Sequence, residues 1–196
     1  MIKKQFSKFS IALISLILFT GTQVSAQTLK INPKTFSMTI YGTTNVHNFE
    51  SKVTQATGEL VMANSKQVKS FAVEIPVKGI KSKEKLMDTK TYEAFNADKN
   101  PKITFKSTDL NSLTVNGNDL NVSITGNMTL AGVTRKVTLI ATGKILKPGV
   151  YEFNGSIPLK MTDYKMSPPT AMLGMMKVGD AITLKYDVTF EGLPVN

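Results

Sequence analysis

The sequence contains no cysteine, and among its 196 residues it has a single histidine, His47, and a single arginine, Arg135. Without cysteine the chain can form no disulfides, no thiolate metal sites and no cysteine nucleophile. With one imidazole, a metal site would lack further histidine ligands, and a serine-histidine-carboxylate site would depend on His47 alone. These absences exclude several common catalytic and metal-binding classes.

Negative charge is also scarce, since 24 lysine and arginine residues stand against 14 acidic residues. Almost the whole positive excess is lysine. Proteins recognise guanine and phosphate in nucleic acids largely through the forked side chain of arginine. Because this sequence has one arginine, no nucleic-acid partner is expected. A lysine-rich surface is instead compatible with transient contact with an anionic membrane.

Long apolar runs are confined to the N-terminus. Lys3, Lys4 and Lys8 precede a short apolar stretch over residues 11–19, and small residues lead up to Ala26. This is the pattern of a secretory signal peptide, predicted to span residues 1–26 with cleavage after Ala26. The remaining residues, 27–196, are predicted to form one domain in a periplasmic or secreted protein.

Motifs for common catalytic and cofactor sites are missing as well. The sequence has no G-x-S-x-G, no G-x-G-x-x-G and no G-x-x-x-x-G-K, and its carboxylates are scattered. We therefore predict that the protein is not an enzyme, with no catalytic residue and no cofactor. A hydrolase or isomerase built around His47 is the catalytic alternative.

What the sequence does contain is a recurring alternation of apolar and polar residues, which is typical of strands with one buried face. Between residues 182 and 190 every second side chain is apolar. Seven or eight such strands with short turns predict an antiparallel all-β fold, and both a sandwich and a closed barrel would hide its edges. Residues 82–95 favour a short helix instead, and Pro101 ends that segment.

The segment "NVHNFE", residues 45–50, contains the single histidine beside two asparagines that suit tight turns. An imidazole can donate one hydrogen bond and accept another. Because partners for chemistry are missing, we predict that His47 fixes the chain at a turn between strands.

Four methionines, Met166, Met172, Met175 and Met176, fall in residues 166–176. Thioethers are soft ligands that suit Cu(I). The alternative is a loop that covers one end of an apolar cavity. We favour the loop that covers the cavity, and we predict no metal site.

Three segments of the sequence form a distinctive set when they are taken in order. The first is "GTTNVHNFES", with a histidine followed by an aromatic residue. The second, "VEIPVKGIKSKEKLMDTKTYEAFNADKNPKITFKSTDL", has a strand pattern, a helical excursion and a proline before an Ile-Thr-Phe strand. The third, "ITGNMTLAGVTRKVTL", has a glycine, a leucine and a Gly-Val-Thr pattern. Together these segments resemble the YceI-like family of exported polyisoprenoid-binding proteins, and the resemblance runs from about residue 28 to residue 190.

The resemblance implies an extended, lipocalin-like, eight-stranded antiparallel barrel with one short helical excursion. Such a barrel is just wide enough for one slender apolar ligand. The implied function is to hold a polyisoprenoid or similar long-chain amphiphile, as carrier or store; Cu(I) binding by residues 166–176 is the alternative. A homodimer is compatible with the sequence. The alternation predicts the following ligand-binding residues on the inward face: Phe36, Met38, Phe49, Phe71, Phe105, Met128, Leu139, Phe153, Met161, Met172, Met176 and Tyr186.

Overall fold

The computed structural model describes residues 26–64 and 67–193, most of which lie in strands. The first half contributes six strands: β1 (Gln27–Ile31), β2 (Ser37–Thr44), β3 (Asn48–Val53), β4 (Thr57–Asn64), β5 (Gln67–Pro76) and β6 (Ile80–Lys81). Helix α1 (Lys85–Phe95) follows. The second half contributes six more: β7 (Lys102–Asn116), β8 (Asp119–Leu130), β9 (Val133–Lys147), β10 (Val150–Lys160), β11 (Thr170–Ala171) and β12 (Met176–Glu191).

Eight of these strands form a closed antiparallel barrel. Their order around the barrel is β1, β4, β5, β7, β8, β9, β10 and β12, and β12 pairs back onto β1 to close it. Lys30 and Ile31 of β1 lie opposite Glu191 and Phe190 of β12. Closure pairs the two outer strands of this set of eight with each other, as the barrel alternative predicted.

Strand β12 is sixteen residues long and organises the barrel. One of its edges pairs with β10 over eleven residues. The other edge pairs with β1 near its C-terminal end and with β2 nearer its start. From β2 the sheet continues through β3 to β6.

Alternation of side chains sets the two faces of the wall, as the sequence pattern predicted. In β8 every second residue from Leu120 to Leu130 is buried. In β12 the apolar residues at even positions from 182 to 190 all line the interior. A one-residue slip of this strand would turn Lys185 and Asp187 inward, so burial fixes the register.

Helix α1 lies across one end of the barrel. Met87, Thr91, Ala94 and Phe95 share one helical face, and all four line the barrel interior. The helix begins after Glu84 rather than at the expected Ser82, whose hydroxyl donates to the Asp88 carboxylate at 2.8 Å. It ends at Phe95, and the C-cap residue Asn96 adopts a left-handed backbone with φ 48°.

The predicted signal peptide, residues 1–26, lies outside the described residues except for Ala26, so it stays a prediction, as does the domain boundary at residue 27. Within residues 26–64 and 67–193, no helix has the length and apolar character needed to cross a membrane.

Candidate functional site

The barrel encloses a cavity of about 180 Å³. Its wall consists of inward-facing side chains of the strands, and its end is formed by α1 and the 3₁₀ turn Met161–Tyr164. Nearly all lining side chains are apolar. The polar exceptions are Ser51, Thr91, Lys160, Tyr164 and Tyr186. Such a cavity favours an apolar guest with few polar groups.

A chain of four phenylalanines runs through the wall of the cavity. The ring centroids of Phe71 and Phe105 are 5.7 Å apart, as are those of Phe71 and Phe190. Phe153 and Phe190 follow at 6.2 Å with an edge-to-face angle of 70°. These separations are the favourable ones for aromatic pairs, and they present rigid ring edges and faces to the cavity.

Several lining rings lie directly over glycines of a neighbouring strand. The Phe49 ring covers Gly42, the Phe105 ring covers Gly126, and the Tyr186 ring covers Gly155. A Cβ on any of these glycines would collide with the ring above it. The missing side chains therefore leave room for these rings beside the neighbouring strand.

Tyr186 is the most strongly perturbed ionisable group on the wall. Its hydroxyl donates a hydrogen bond to the carbonyl of Ile140 at 3.4 Å. Burial disfavours the phenolate and raises the pKa of Tyr186 from 10.0 to about 12. Burial likewise raises the pKa of Tyr151 and of Tyr164. At neutral pH these three phenols are uncharged, which suits an apolar interior.

The pKa of Tyr186 predicts alkaline destabilisation. Because an unfolded tyrosine ionises at about pH 10 while folded Tyr186 holds its proton to about pH 12, its contribution is intact below pH 10 and is lost as the pH rises from 10 to 12. The free energy of unfolding should fall by about 2–3 kcal/mol more in the wild type than in Tyr186→Phe. Urea titrations of both proteins from pH 9 to pH 12 measure this difference, and parallel curves would contradict it.

Nine of the twelve residues predicted to bind ligand line the cavity: Met38, Phe49, Phe71, Phe105, Met128, Leu139, Phe153, Met161 and Tyr186. Phe36, Met172 and Met176 lie outside it. Phe36 precedes β2 and packs half-buried against the core. Met172 is 62% exposed at a hairpin tip. Met176 lines a separate groove between α1 and β11. Contact of the nine with a ligand stays a prediction.

The lining residues that the alternation did not single out include Tyr164 and the inward face of α1. For the helix a signal was available, because Met87, Thr91, Ala94 and Phe95 have the i, i+4, i+7, i+8 spacing of one helical face. Tyr164 lies in a single 3₁₀ turn, where a local pattern gives no inward direction.

The model for the YceI-like domain matches residues 19–190 of the chain. The chain belongs to the YceI-like domain family. Comparison with curated proteins gives no match.

Three solved structures resemble this YceI-like barrel. Burkholderia cenocepacia BcnA has a TM-score of 0.64 at 20% identity, covering 81% of this chain and 98% of that one. A polyisoprenoid-binding domain from Saccharophagus degradans, implicated in plant cell wall breakdown, has a TM-score of 0.67 at 9% identity, covering 86% and 100%. The Campylobacter jejuni YCEI protein has a TM-score of 0.59 at 18% identity, covering 73% and 84%. At these identities the likeness shows a shared fold.

His47 does not fix the YceI-like barrel in the way that we predicted. Its side chain is exposed and makes no hydrogen bond within the described ranges. The turn is held instead by Thr44, whose hydroxyl donates to the His47 carbonyl at 2.9 Å and accepts from the amides of Val46 and His47. A short hydroxyl next to the turn reaches these backbone groups, whereas the imidazole points into solvent.

Thr44→Val should therefore destabilise the turn more than His47→Gln does. The valine removes three hydrogen bonds of the Thr44 hydroxyl at nearly constant volume, with an expected cost of about 1–2 kcal/mol. The His47 side chain is exposed and has no hydrogen-bond partner among the described residues, so its loss should change the free energy of unfolding by less than about 0.5 kcal/mol. Denaturant unfolding of the two variants checks the order, and a larger loss for His47→Gln would contradict it.

The four methionines of residues 166–176 lie in three different surroundings in the YceI-like barrel. Met166 is buried on the cavity wall, Met172 and Met175 are exposed, and Met176 lines the outer groove. This dispersal disfavours the Cu(I) alternative, which needs several thioethers around one ion. Among the described residues there is also no group of three or more His, Cys, Asp or Glu side chains placed to hold a metal.

Proposed function

We propose that this protein binds a polyisoprenoid or a similar long-chain amphiphile inside the barrel. The observation that carries the proposal is the almost wholly apolar cavity inside the barrel, with its chain of phenyl rings. Burial of hydrocarbon contributes about 25 cal/mol per Å², so a slender chain can bind with few polar contacts. The shared fold with a domain described as polyisoprenoid-binding supports this choice of ligand.

The cavity volume adds a condition to this proposal. At about 180 Å³ it is smaller than the ~300–1,000 Å³ of common small-molecule pockets. A long chain therefore enters only if lining side chains move aside. Met38, Met87, Met128, Met161 and Met166 are unbranched and line the cavity, and methionine changes rotamer at low cost. We expect these thioethers to shift when ligand binds.

We extend the proposal to a role as carrier or store outside the cytoplasm. The proposal assigns no reaction to the protein. The role outside the cytoplasm is supported by the signal-peptide pattern of residues 1–26. Such a protein would shield an apolar ligand from water while the ligand is transferred or stored between membranes.

The test is to purify the protein natively and determine what comes with it. Native mass spectrometry should show a bound lipid of several hundred daltons, and organic extraction should release it for identification. The stripped protein should take up an added polyprenol. Protein that is free of lipid and takes up no polyprenol would contradict the proposal.

We also propose that one end of the barrel contacts anionic membranes. Four apolar side chains are exposed there and form what we call the apolar tip: Val46, Met172, Leu173 and Met175. The Asn45 side chain holds its two parts together, because it donates to the Met175 carbonyl at 2.9 Å and accepts from the Lys177 amide at 2.8 Å. Large exposed apolar groups at one site are typical of membrane or protein contact.

Charge and position favour a lipid surface as the partner of the apolar tip. Exposed Lys165 and Lys177 bracket the hairpin, and no acidic residue lies between them. Lysines next to exposed apolar side chains suit a membrane surface, because the lysines attract anionic headgroups while the apolar side chains contact the acyl chains. The groove between α1 and the hairpin shares Met87, Pro169 and Val178 with the cavity wall, so a docked tip would bring the cavity close to the bilayer.

Cosedimentation with lipid vesicles tests this contact. Wild-type protein should bind vesicles with phosphatidylglycerol better than vesicles of phosphatidylcholine alone, and binding should weaken with salt. Leu173→Glu should lose most of this binding, because Leu173 is fully exposed at the tip. Ile140→Glu is the matched control, since Ile140 is 70% exposed on the barrel wall. Equal binding of the two variants would contradict the contact.

A further inference from the structure

Tyr164 carries a buried hydroxyl that no group among the described residues satisfies. The residue ends the 3₁₀ turn Met161–Tyr164 and forms part of the cavity wall. It is 3% exposed, and within the described ranges its hydroxyl has no hydrogen-bond partner. Buried hydroxyls in native proteins are nearly always paired, so this one calls for a partner.

Other tyrosines show that the fold can satisfy a phenol. The Tyr186 hydroxyl, on the same cavity wall, donates to the Ile140 carbonyl. The Tyr92 hydroxyl lies 3.0 Å from the Ile80 carbonyl and accepts from the Lys81 ammonium at 2.7 Å. Tyr164 differs from both, because it lines the cavity and its hydroxyl has no such bond to any described residue.

The turn that presents Tyr164 is fixed by polar contacts on both sides. The only arginine of the chain, Arg135, donates from Nε to the Asp163 carbonyl at 2.7 Å. The Asp180 carboxylate accepts from the Thr162 amide at 2.9 Å and from the Thr162 hydroxyl at 2.7 Å. The same two bonds lower the pKa of Asp180. The ring of Tyr164 is thus held at a defined place rather than left free to find a partner.

The position of Tyr164 gives the cavity a polar end and an apolar end. Two residues of β10 mark these ends. Phe153 belongs to the phenylalanine chain, and Lys160 lines the cavity just before the Tyr164 turn. At about 3.3 Å per residue, the seven steps between them separate the two ends by about 23 Å. Lys160 and Thr91 of α1 join Tyr164 among the polar lining groups.

We propose that the Tyr164 hydroxyl donates a hydrogen bond to an oxygen atom at the polar end of the bound ligand. The ligand class is then an isoprenoid that carries a terminal oxygen acceptor, not a plain hydrocarbon, and its chain extends toward the phenylalanine chain. This inference rests on the proposed function. A tyrosine phenol is protonated at neutral pH and can donate, and burial raises the pKa of Tyr164 further in the same direction.

The experiment compares two probes on two proteins. Geranylgeraniol carries the oxygen, and its hydrocarbon analogue without the hydroxyl does not. Native mass spectrometry titrations should show wild type binding the alcohol about 3- to 10-fold more tightly than the hydrocarbon. Tyr164→Phe should bind the two probes equally, with the affinity for the hydrocarbon unchanged. Tyr151→Phe, which removes the hydroxyl of a buried tyrosine that does not line the cavity, should keep the wild-type preference.

The outcomes separate this inference from the proposed function. If wild type binds neither probe, the proposed function fails. If wild type binds both probes equally, or if Tyr164→Phe keeps the preference for the alcohol, only the role of Tyr164 is overturned. Thermal unfolding of the ligand-free proteins adds a second readout. Tyr164→Phe should keep or raise Tm, because the hydroxyl has no partner to lose in the part of the chain that the structure describes. A clearly lower Tm would mean that it has one.

Discussion

Ligand uptake should fall at least about tenfold when Ala141 is replaced by phenylalanine. Ala141 lies on β9, is buried and lines the cavity. A phenyl ring there would occupy much of the about 180 Å³ that a ligand needs, and the apolar contact area lost to the ligand accounts for the drop in affinity. Uptake of a polyprenol by stripped protein, followed by native mass spectrometry, measures the effect.

Ile140→Phe is the matched control for Ala141→Phe. Ile140 is the adjacent residue of the same strand, but it is 70% exposed on the outer face of the barrel. The control should bind ligand like wild type. Circular dichroism and Tm show whether each variant keeps its fold, since filling an open cavity costs less than overpacking a dense core. Normal uptake by folded Ala141→Phe would place the ligand outside the cavity.

Gly126→Ala should have the largest effect on stability, with an expected loss of about 2–3 kcal/mol. A Cβ at Gly126 would collide with the Lys106 carbonyl oxygen and would lie 2.6 Å from the Phe105 ring. Backbone of a paired strand cannot move away as a flexible side chain can. The expected fall in Tm is about 4–12 °C, measurable by thermal unfolding.

Gly79→Ala provides the control for that loss. Gly79 is also buried, but an added Cβ would have its nearest contacts at 3.6 and 3.7 Å, which are ordinary van der Waals distances. Its expected cost is below about 0.5 kcal/mol. Equal destabilisation by the two alanines would show that loss of glycine itself, and not the collision under the Phe105 ring, sets the cost.

Local patterns predicted the strands well because burial on one face dictates alternation. The inward positions of β12 followed directly from the apolar residues at even positions 182–190. Closure is a different matter. It depends on the pairing of Lys30 with Glu191, which are far apart in the chain, and no periodicity reports such a contact. The barrel was predicted from resemblance to a family, and the pattern alone left a sandwich open.

The candidate site was predicted least well where the backbone leaves regular structure. Met172 was assigned inward by parity, yet it lies in a hairpin tip with φ 51°, where alternation has no meaning. His47 drew attention because it is the only imidazole, whereas Thr44 makes the hydrogen bonds. The Tyr164 hydroxyl lacks a hydrogen-bond partner among the described residues, and the sequence of its turn gave no pattern that would have singled it out. Composition points to rare residues, but contacts decide which of them matter.

Strand β12 also determines when the barrel can close. Strands β1 and β2 belong to the N-terminal quarter of the chain, yet both pair with residues of Met176–Glu191. During synthesis one edge of each of these strands stays unpaired until almost the whole chain has been made. Because distant pairing is slow, the interior forms as a late and concerted event, and a chain that has not finished β12 has no cavity to fill.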